Sequence, residues 1–169
     1  STEVGISLAQ QAAPGLLRLS MELGGNAPFI VFDDADLDFA ADEAMRAKLR
    51  NNGEACTAAN RFYVQAGVAD AFIEKLTARF EKVVTGRGTE TGITLGPLID
   101  QPSVDKVGEL VQSALAEGAR IAYESTIPDD AGTYYPATLL VDVPASARIV
   151  REEIFGPVAP IVVFQSERE

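Results

Sequence analysis

Residues 61–84 read Arg61-Phe62-Tyr63-Val64-Gln65-Ala66-Gly67-Val68-Ala69-Asp70-Ala71-Phe72-Ile73-Glu74-Lys75-Leu76-Thr77-Ala78-Arg79-Phe80-Glu81-Lys82-Val83-Val84, and this run decides the fold. Arg61 to Gln65 reads as a strand. In residues 67–84, Val68, Phe72, Leu76, Phe80 and Val83 recur at helical spacing, so an amphipathic helix is expected with that face inward. Upstream, Phe29 to Phe32 reads as a short buried strand. Asp33, Asp34, Asp36 and Asp38 then precede a helical pattern that runs to about Leu49; acidic residues suit the positive end of a helix dipole. Residues 3–13 read as a short helix ended by Pro14. Leu17 to Leu23 alternates in character and is expected as a strand, broken by Gly24-Gly25. Downstream, Gly86, Gly88, Gly92 and Gly96-Pro97 mark a long turn region. A third helix carries Val104, Val107, Val111, Ala114 and Leu115 on one face and ends at Gly118. Further strands are expected at 120–123, 137–142 and 158–164. Strands alternating with helices predict an α/β fold with a largely parallel sheet flanked by helices.

The chain has 169 residues, of which 47% are hydrophobic, enough to build a core and argue against disorder. With 14 Lys+Arg against 25 Asp+Glu, its net charge of −11 argues against nucleic acid and anionic membrane surfaces as partners. The absence of His removes every His-based triad, metal site and proton shuttle. A single Cys excludes intrachain disulfides and Cys-cluster zinc sites, so no metal is expected, and a free thiol fits a reducing, cytoplasmic setting. Acid–base work at neutral pH then falls to a carboxylate, Lys, Tyr or the thiol itself. No apolar run approaches the ~18 residues of a membrane helix, and Ser1 to Gly5 does not read as a secretory signal. Residues 166–169 follow a strand-like run without a closing element, so a piece of a longer protein is expected.

Three segments could carry chemistry. Cys56 lies in Asn51-Asn52-Gly53-Glu54-Ala55-Cys56-Thr57-Ala58-Ala59-Asn60-Arg61, where small neighbours would let a carbonyl reach the sulfur. A buried packing cysteine is the competing reading. Glu22 precedes Gly24-Gly25 and could act as a base for the thiol or for water, against a merely solvated Glu. In Arg151-Glu152-Glu153-Ile154-Phe155-Gly156-Pro157, a carboxylate could hold a ribose diol and the aromatic could pack on a cofactor ring, against a charged edge before a turn.

Taken together, Met21-Glu22-Leu23-Gly24-Gly25-Asn26, Gly53-Glu54-Ala55-Cys56 and Glu152-Glu153-Ile154-Phe155-Gly156-Pro157 resemble, in order and spacing, the NAD(P)-dependent aldehyde dehydrogenase superfamily. Gly96-Pro97-Leu98-Ile99-Asp100 is also similar, and Ser1 to Gly5 looks like the end of the family's cofactor loop. The resemblance spans essentially the whole chain. It implies Cys56 as the nucleophile that forms a thiohemiacetal and then a thioester, and Glu22 as the base that activates water for hydrolysis. A carboxylate can do this if partial burial raises its pKa. It implies Ser1, Leu23, Glu153 and Phe155 as cofactor-binding, with NAD or NADP as the non-covalent cofactor. Residues 1–23 would be the tail of the NAD(P)-binding domain and 24–169 the catalytic domain, truncated on its C-terminal side. The fragment alone is then expected to be inactive, and the full-length parent to be a homo-oligomer acting on a small aldehyde.

The chain departs from the family's usual Gly-Gln-x-Cys by carrying Glu54. Within the family, Leu49-Arg50-Asn51-Asn52-Gly53, Cys56 to Val64 and Thr94 to Asp100 look most like the succinate-semialdehyde dehydrogenases. That likeness implies Arg50, six residues before the Cys, as the substrate-carboxylate ligand, because a guanidinium can donate two parallel hydrogen bonds to it. A surface Arg at a helix C-terminus is the competing reading. Ala58 stands where some relatives carry a second, regulatory Cys, so no such disulfide can form. Glutarate semialdehyde, a neutral aliphatic aldehyde, or a fragment that only folds or oligomerises are the alternatives.

Overall fold

The computed structural model describes residues 1–129 and 132–169. Its elements are α1 (Thr2–Ala12), β1 (Ala27–Val31), α2 (Leu37–Leu49), β2 (Ala59–Gln65), α3 (Ala69–Phe80), α4 (Gln101–Ala116), β3 (Arg120–Glu124), β4 (Thr138–Val141), α5 (Arg148–Arg151) and β5 (Val158–Phe164). Short 3-10 turns cover Ala13–Gly15, Arg50–Gly53 and Ala66–Val68. The strands form one sheet in the order β1-β2-β5-β4-β3. Each adjacent pair from β1 to β4 is parallel, and β3 is the antiparallel edge. The expected largely parallel α/β architecture is therefore present.

The central strands are covered on both faces, which is why Leu139 to Val141 of β4 and the whole of β5 read as apolar runs. Phe62, Val64, Phe72, Leu76, Phe80, Leu139 and Ile161 form the core under α2 and α3. Val107, Leu110, Val111, Leu140, Ile149, Val158 and Val162 form the core on the opposite face, under α4 and α5. Leu139 and Leu140, or Ile161 and Val162, go to opposite cores because successive strand side chains alternate in direction. Each large side chain buried in this way contributes about 2 kcal/mol. Val158–Pro160 pair with β4 and Ile161–Phe164 with β2, so Pro160, which has no N–H, stands at the changeover of partners.

Asp36 is the member of the acidic cluster that caps α2, its carboxylate accepting from the N–H of Asp38 and Phe39. Asp100 caps α4 in the same way through Ser103. Gly118 takes φ +111 just past α4, as its terminating role requires. The helix expected over 67–84 is shorter, since a 3-10 turn leads in and α3 ends at Phe80. Val68 and Val83 still pack on the core from the flanking turns, so the apolar spacing outruns the helix.

The strand expected at 17–23 does not form. Residues 17–26 are irregular, and Leu17, Leu19 and Met21 are exposed. Alternation makes a strand only where another strand completes its hydrogen bonds. Among the described residues none lies beside this segment.

Candidate active site

The turn that carries Cys56 begins where α2 ends. Asn51 (φ 52), Asn52 (φ 58) and Gly53 (φ 78) are three consecutive left-handed residues. Asn and Gly are the types that adopt this conformation most readily. The reversal throws out a tight turn closed by a bond from Ala58 N to Ala55 O (2.9 Å), and Cys56 is exposed on it. The Asn51 amide donates to Glu54 O (2.9 Å). Asn52 accepts from Gly96 N (2.8 Å) and donates to Pro97 O (3.1 Å), tying in the Gly96-Pro97 loop. Glu54 Oε1 accepts from Ile99 N (3.0 Å). A glutamine carbonyl would accept the same bond, so Glu54 keeps this anchor while departing from the usual motif.

Glycines let two distant segments, 24–25 and 153–156, close on this turn. A Cβ on Gly25 would overlap the Cys56 carbonyl, and one on Gly53 would overlap Gly156 O. A Cβ on Gly24 would overlap Glu153 Oε2. The Gly24-Gly25 pair thus admits both the cysteine turn and the Glu153 carboxylate, whose Oε1 accepts from Gly25 N (2.8 Å).

Ser1, Glu22, Leu23, Cys56, Glu153 and Phe155 line one cleft of about 420 Å³. Ser1 also caps α1, with Oγ accepting from Val4 N (3.4 Å). Leu23 packs on Gly5 of α1. Phe155 holds φ 57, a backbone conformation of order 1 kcal/mol above the ordinary one for a non-glycine residue. Glu22 reaches the cleft from the irregular segment rather than from a strand end. It is exposed, so the partial burial expected of it is not provided by the described residues. Arg50 does not line the cleft. It is exposed and lines a separate hollow of about 100 Å³ together with Ala55, Thr57 and Ala58. Ala55 borders both spaces, so the cysteine turn is the wall between them.

Several residues went unremarked in the sequence. Ser103 and Lys106 of α4 complete the cleft wall. Asn60, buried in β2, donates to Glu152 O (2.8 Å) and accepts from Ile154 N (2.7 Å), gripping the chain on both sides of Glu153. It also donates to Asn26 Oδ1 (2.6 Å), and Asn26 donates to Val150 O (3.2 Å) and Arg151 O (3.1 Å). Their signal was present, because Asn26 and Asn60 sit inside the recognised motifs, but amides at strand starts announce no partner. Among the described residues no group of three His, Cys, Asp or Glu side chains could hold a metal ion.

Lys48 is also new. It lies in the last turn of α2, 1% exposed, and its Nζ has no hydrogen-bond partner among the described residues. Burial pushes its pKa down to about 7, opposed by the Glu153 carboxylate. The unfolded chain then holds a proton on this lysine that the folded chain has lost between pH 7 and about 10.4. Stability is expected to rise with pH across that window, by up to about 1.4 kcal/mol per unit, while below pH 7 the burial penalty is fully present. Denaturant titrations of wild type and Lys48→Met at pH 6.5, 8 and 9.5 check this: the contribution should vanish in the variant, and parallel pH curves would refute it.

The profile of the aldehyde dehydrogenase family matches residues 1–169. The chain is 48% identical over its whole length to a succinate-semialdehyde dehydrogenase [NADP(+)] of Escherichia coli and 48% identical to a glutarate-semialdehyde dehydrogenase of Pseudomonas aeruginosa. It covers 35% of the length of each. A crystal structure of succinate-semialdehyde dehydrogenase from Burkholderia pseudomallei, 47% identical, superposes with a TM-score of 0.96 over 99% of this chain and 35% of that one. The chain belongs to the aldehyde dehydrogenase family.

Proposed function

We propose that the full-length protein oxidises a small aldehyde bearing a carboxylate, with succinate semialdehyde as the first candidate, using a nicotinamide dinucleotide. The observation that carries this reading is the cysteine turn standing between two spaces of different character. One holds Glu22, Leu23, Glu153 and Phe155, and the other holds Arg50.

The cleft residues fit the nicotinamide-ribose end of such a cofactor. Glu153 is an acceptor for a ribose diol, Gly24 leaves its carboxylate room, and Phe155 offers an aromatic side chain beside it. The bound dinucleotide supplies the hydride acceptor. Cys56, as thiolate, adds to the aldehyde carbon to give a thiohemiacetal. Loss of hydride from that carbon leaves an acyl thioester on Sγ. Glu22 takes a proton from water, the resulting hydroxide adds to the thioester carbonyl, and the C–S bond breaks to release the carboxylic acid and the thiolate. Arg50 holds the far carboxylate of the substrate through two parallel hydrogen bonds.

The test is kcat/KM for succinate semialdehyde and for butanal, in wild type and Arg50→Ala. The wild type is expected to prefer succinate semialdehyde, and the variant to lose about 100-fold on that substrate with little change on butanal. If both aldehydes react alike and the variant changes neither, the carboxylate clamp falls and only the broader aldehyde reading stands. Glutarate semialdehyde, one methylene longer, is the second candidate because it offers Arg50 the same group.

A further inference from the structure

The end of α2 carries a second guanidinium beside the one that the carboxylate reading uses. Arg46 lies in the last turn of the helix and Arg50 caps it, the Arg50 N–H donating to Arg46 O, so the two residues share one helix face. Both border the hollow of about 100 Å³ beside the cysteine turn. Both also border a larger outer hollow of about 580 Å³, to which Phe29 and Glu43 contribute. Ala47, Ala55 and Ala58 supply most of the remaining wall of the inner hollow and are too short to fill it, and Thr57 adds a hydroxyl-bearing side chain. Like charges four residues apart on a helix repel. Arg46 is offset by Glu43, whose Oε1 accepts from Nη1 (2.9 Å), but that bond engages one of five guanidinium donors. Arg50 has no side-chain partner among the described residues. In a chain of net charge −11, two cations at one small hollow run against the general charge, and an anion held between them relieves their repulsion.

We propose that Arg46 is a second specificity-determining residue for the far carboxylate of the substrate. Arg50 takes that group in two parallel hydrogen bonds, and Arg46 donates to its remaining lone pairs from the outer hollow. The proposal rests on the carboxylate-aldehyde reading and deepens it, because the anionic group is then held by two cations. It also gives Glu43 a part, as the competing anion from which Arg46 is drawn when substrate arrives.

The test is the ratio of kcat/KM for succinate semialdehyde to kcat/KM for butanal, measured on the full-length protein. Arg46→Ala and Arg46→Gln are each expected to lower this ratio about tenfold, through KM for succinate semialdehyde, with kcat for that substrate within about twofold and Tm unchanged. Arg46→Lys, which keeps the charge without the fork, should retain part of the preference. Glu43→Gln, which releases Arg46, should raise the ratio about threefold, an effect that a purely structural ion pair would not produce. A ratio unchanged in both neutral Arg46 variants while Arg50→Ala lowers it, or a fall with Glu43→Gln, overturns the proposal and leaves Arg46 a surface partner of Glu43. A ratio that Arg50→Ala does not change either overturns the carboxylate reading itself, a result distinct from the first.

Discussion

Cys56→Ala in the full-length protein is expected to lower aldehyde oxidation by about 10⁴-fold or more, with the Tm unchanged. The loss is large because these 169 residues hold one Cys and no His, so none of them offers a second thiol or a His-activated hydroxyl in its place. The fold should be indifferent, since Cys56 is exposed on a turn held by its neighbours' backbone and by Asn51, Asn52 and Glu54 rather than by its own side chain. Reduced-dinucleotide production followed by absorbance, with thermal unfolding alongside, measures both halves. Turnover within tenfold of wild type in a folded variant would remove Cys56 from the mechanism.

The second large effect is expected at Glu22. Glu22→Gln keeps the shape and removes the base, so the first half of the reaction should survive and the second should stall. Rapid-mixing experiments should then show a burst of about one reduced dinucleotide per site, followed by a steady rate some 10³-fold below wild type. Hydrolysis of the thioester at the wild-type rate would end the assignment. In this chain Glu22 is exposed and on an irregular segment, so its aim into the cleft depends on the Gly24-Gly25 pair that follows it and on Leu23 packed against Gly5.

Much of the architecture was legible residue by residue because its causes are local. The spacing of Phe72, Leu76 and Phe80 makes α3, the acidic cluster before α2 holds its cap Asp36, and Gly118 ends α4. The turn at Asn51-Asn52-Gly53 was not read from the sequence, although each of these residues tolerates the positive φ it adopts. The strand expected at 17–23 failed for the complementary reason. Alternation is local, but a strand exists only through a partner, and that partner is not encoded in the segment.

The sequence by itself determined the helices α1 to α4 and the strands of the sheet to within a few residues, and the three motifs that line one cleft. Only the tertiary structure decided that Gly25 meets Glu153, that Asn60 grips the peptides around it, that the Lys48 ammonium is enclosed without a hydrogen-bond partner among the described residues, and that Arg50 stands on the far side of the Cys56 turn from Glu22. The partners in these contacts are far apart in the chain: 128 residues separate Gly25 from Glu153, and 92 separate Asn60 from Glu152. Local periodicity sets which face of an element is apolar. Which distant segments then share a cleft is set by the parallel crossovers that lay β5 between β2 and β4, because burying both faces of that strand is what brings the Glu153 segment down onto the Gly24-Gly25 pair.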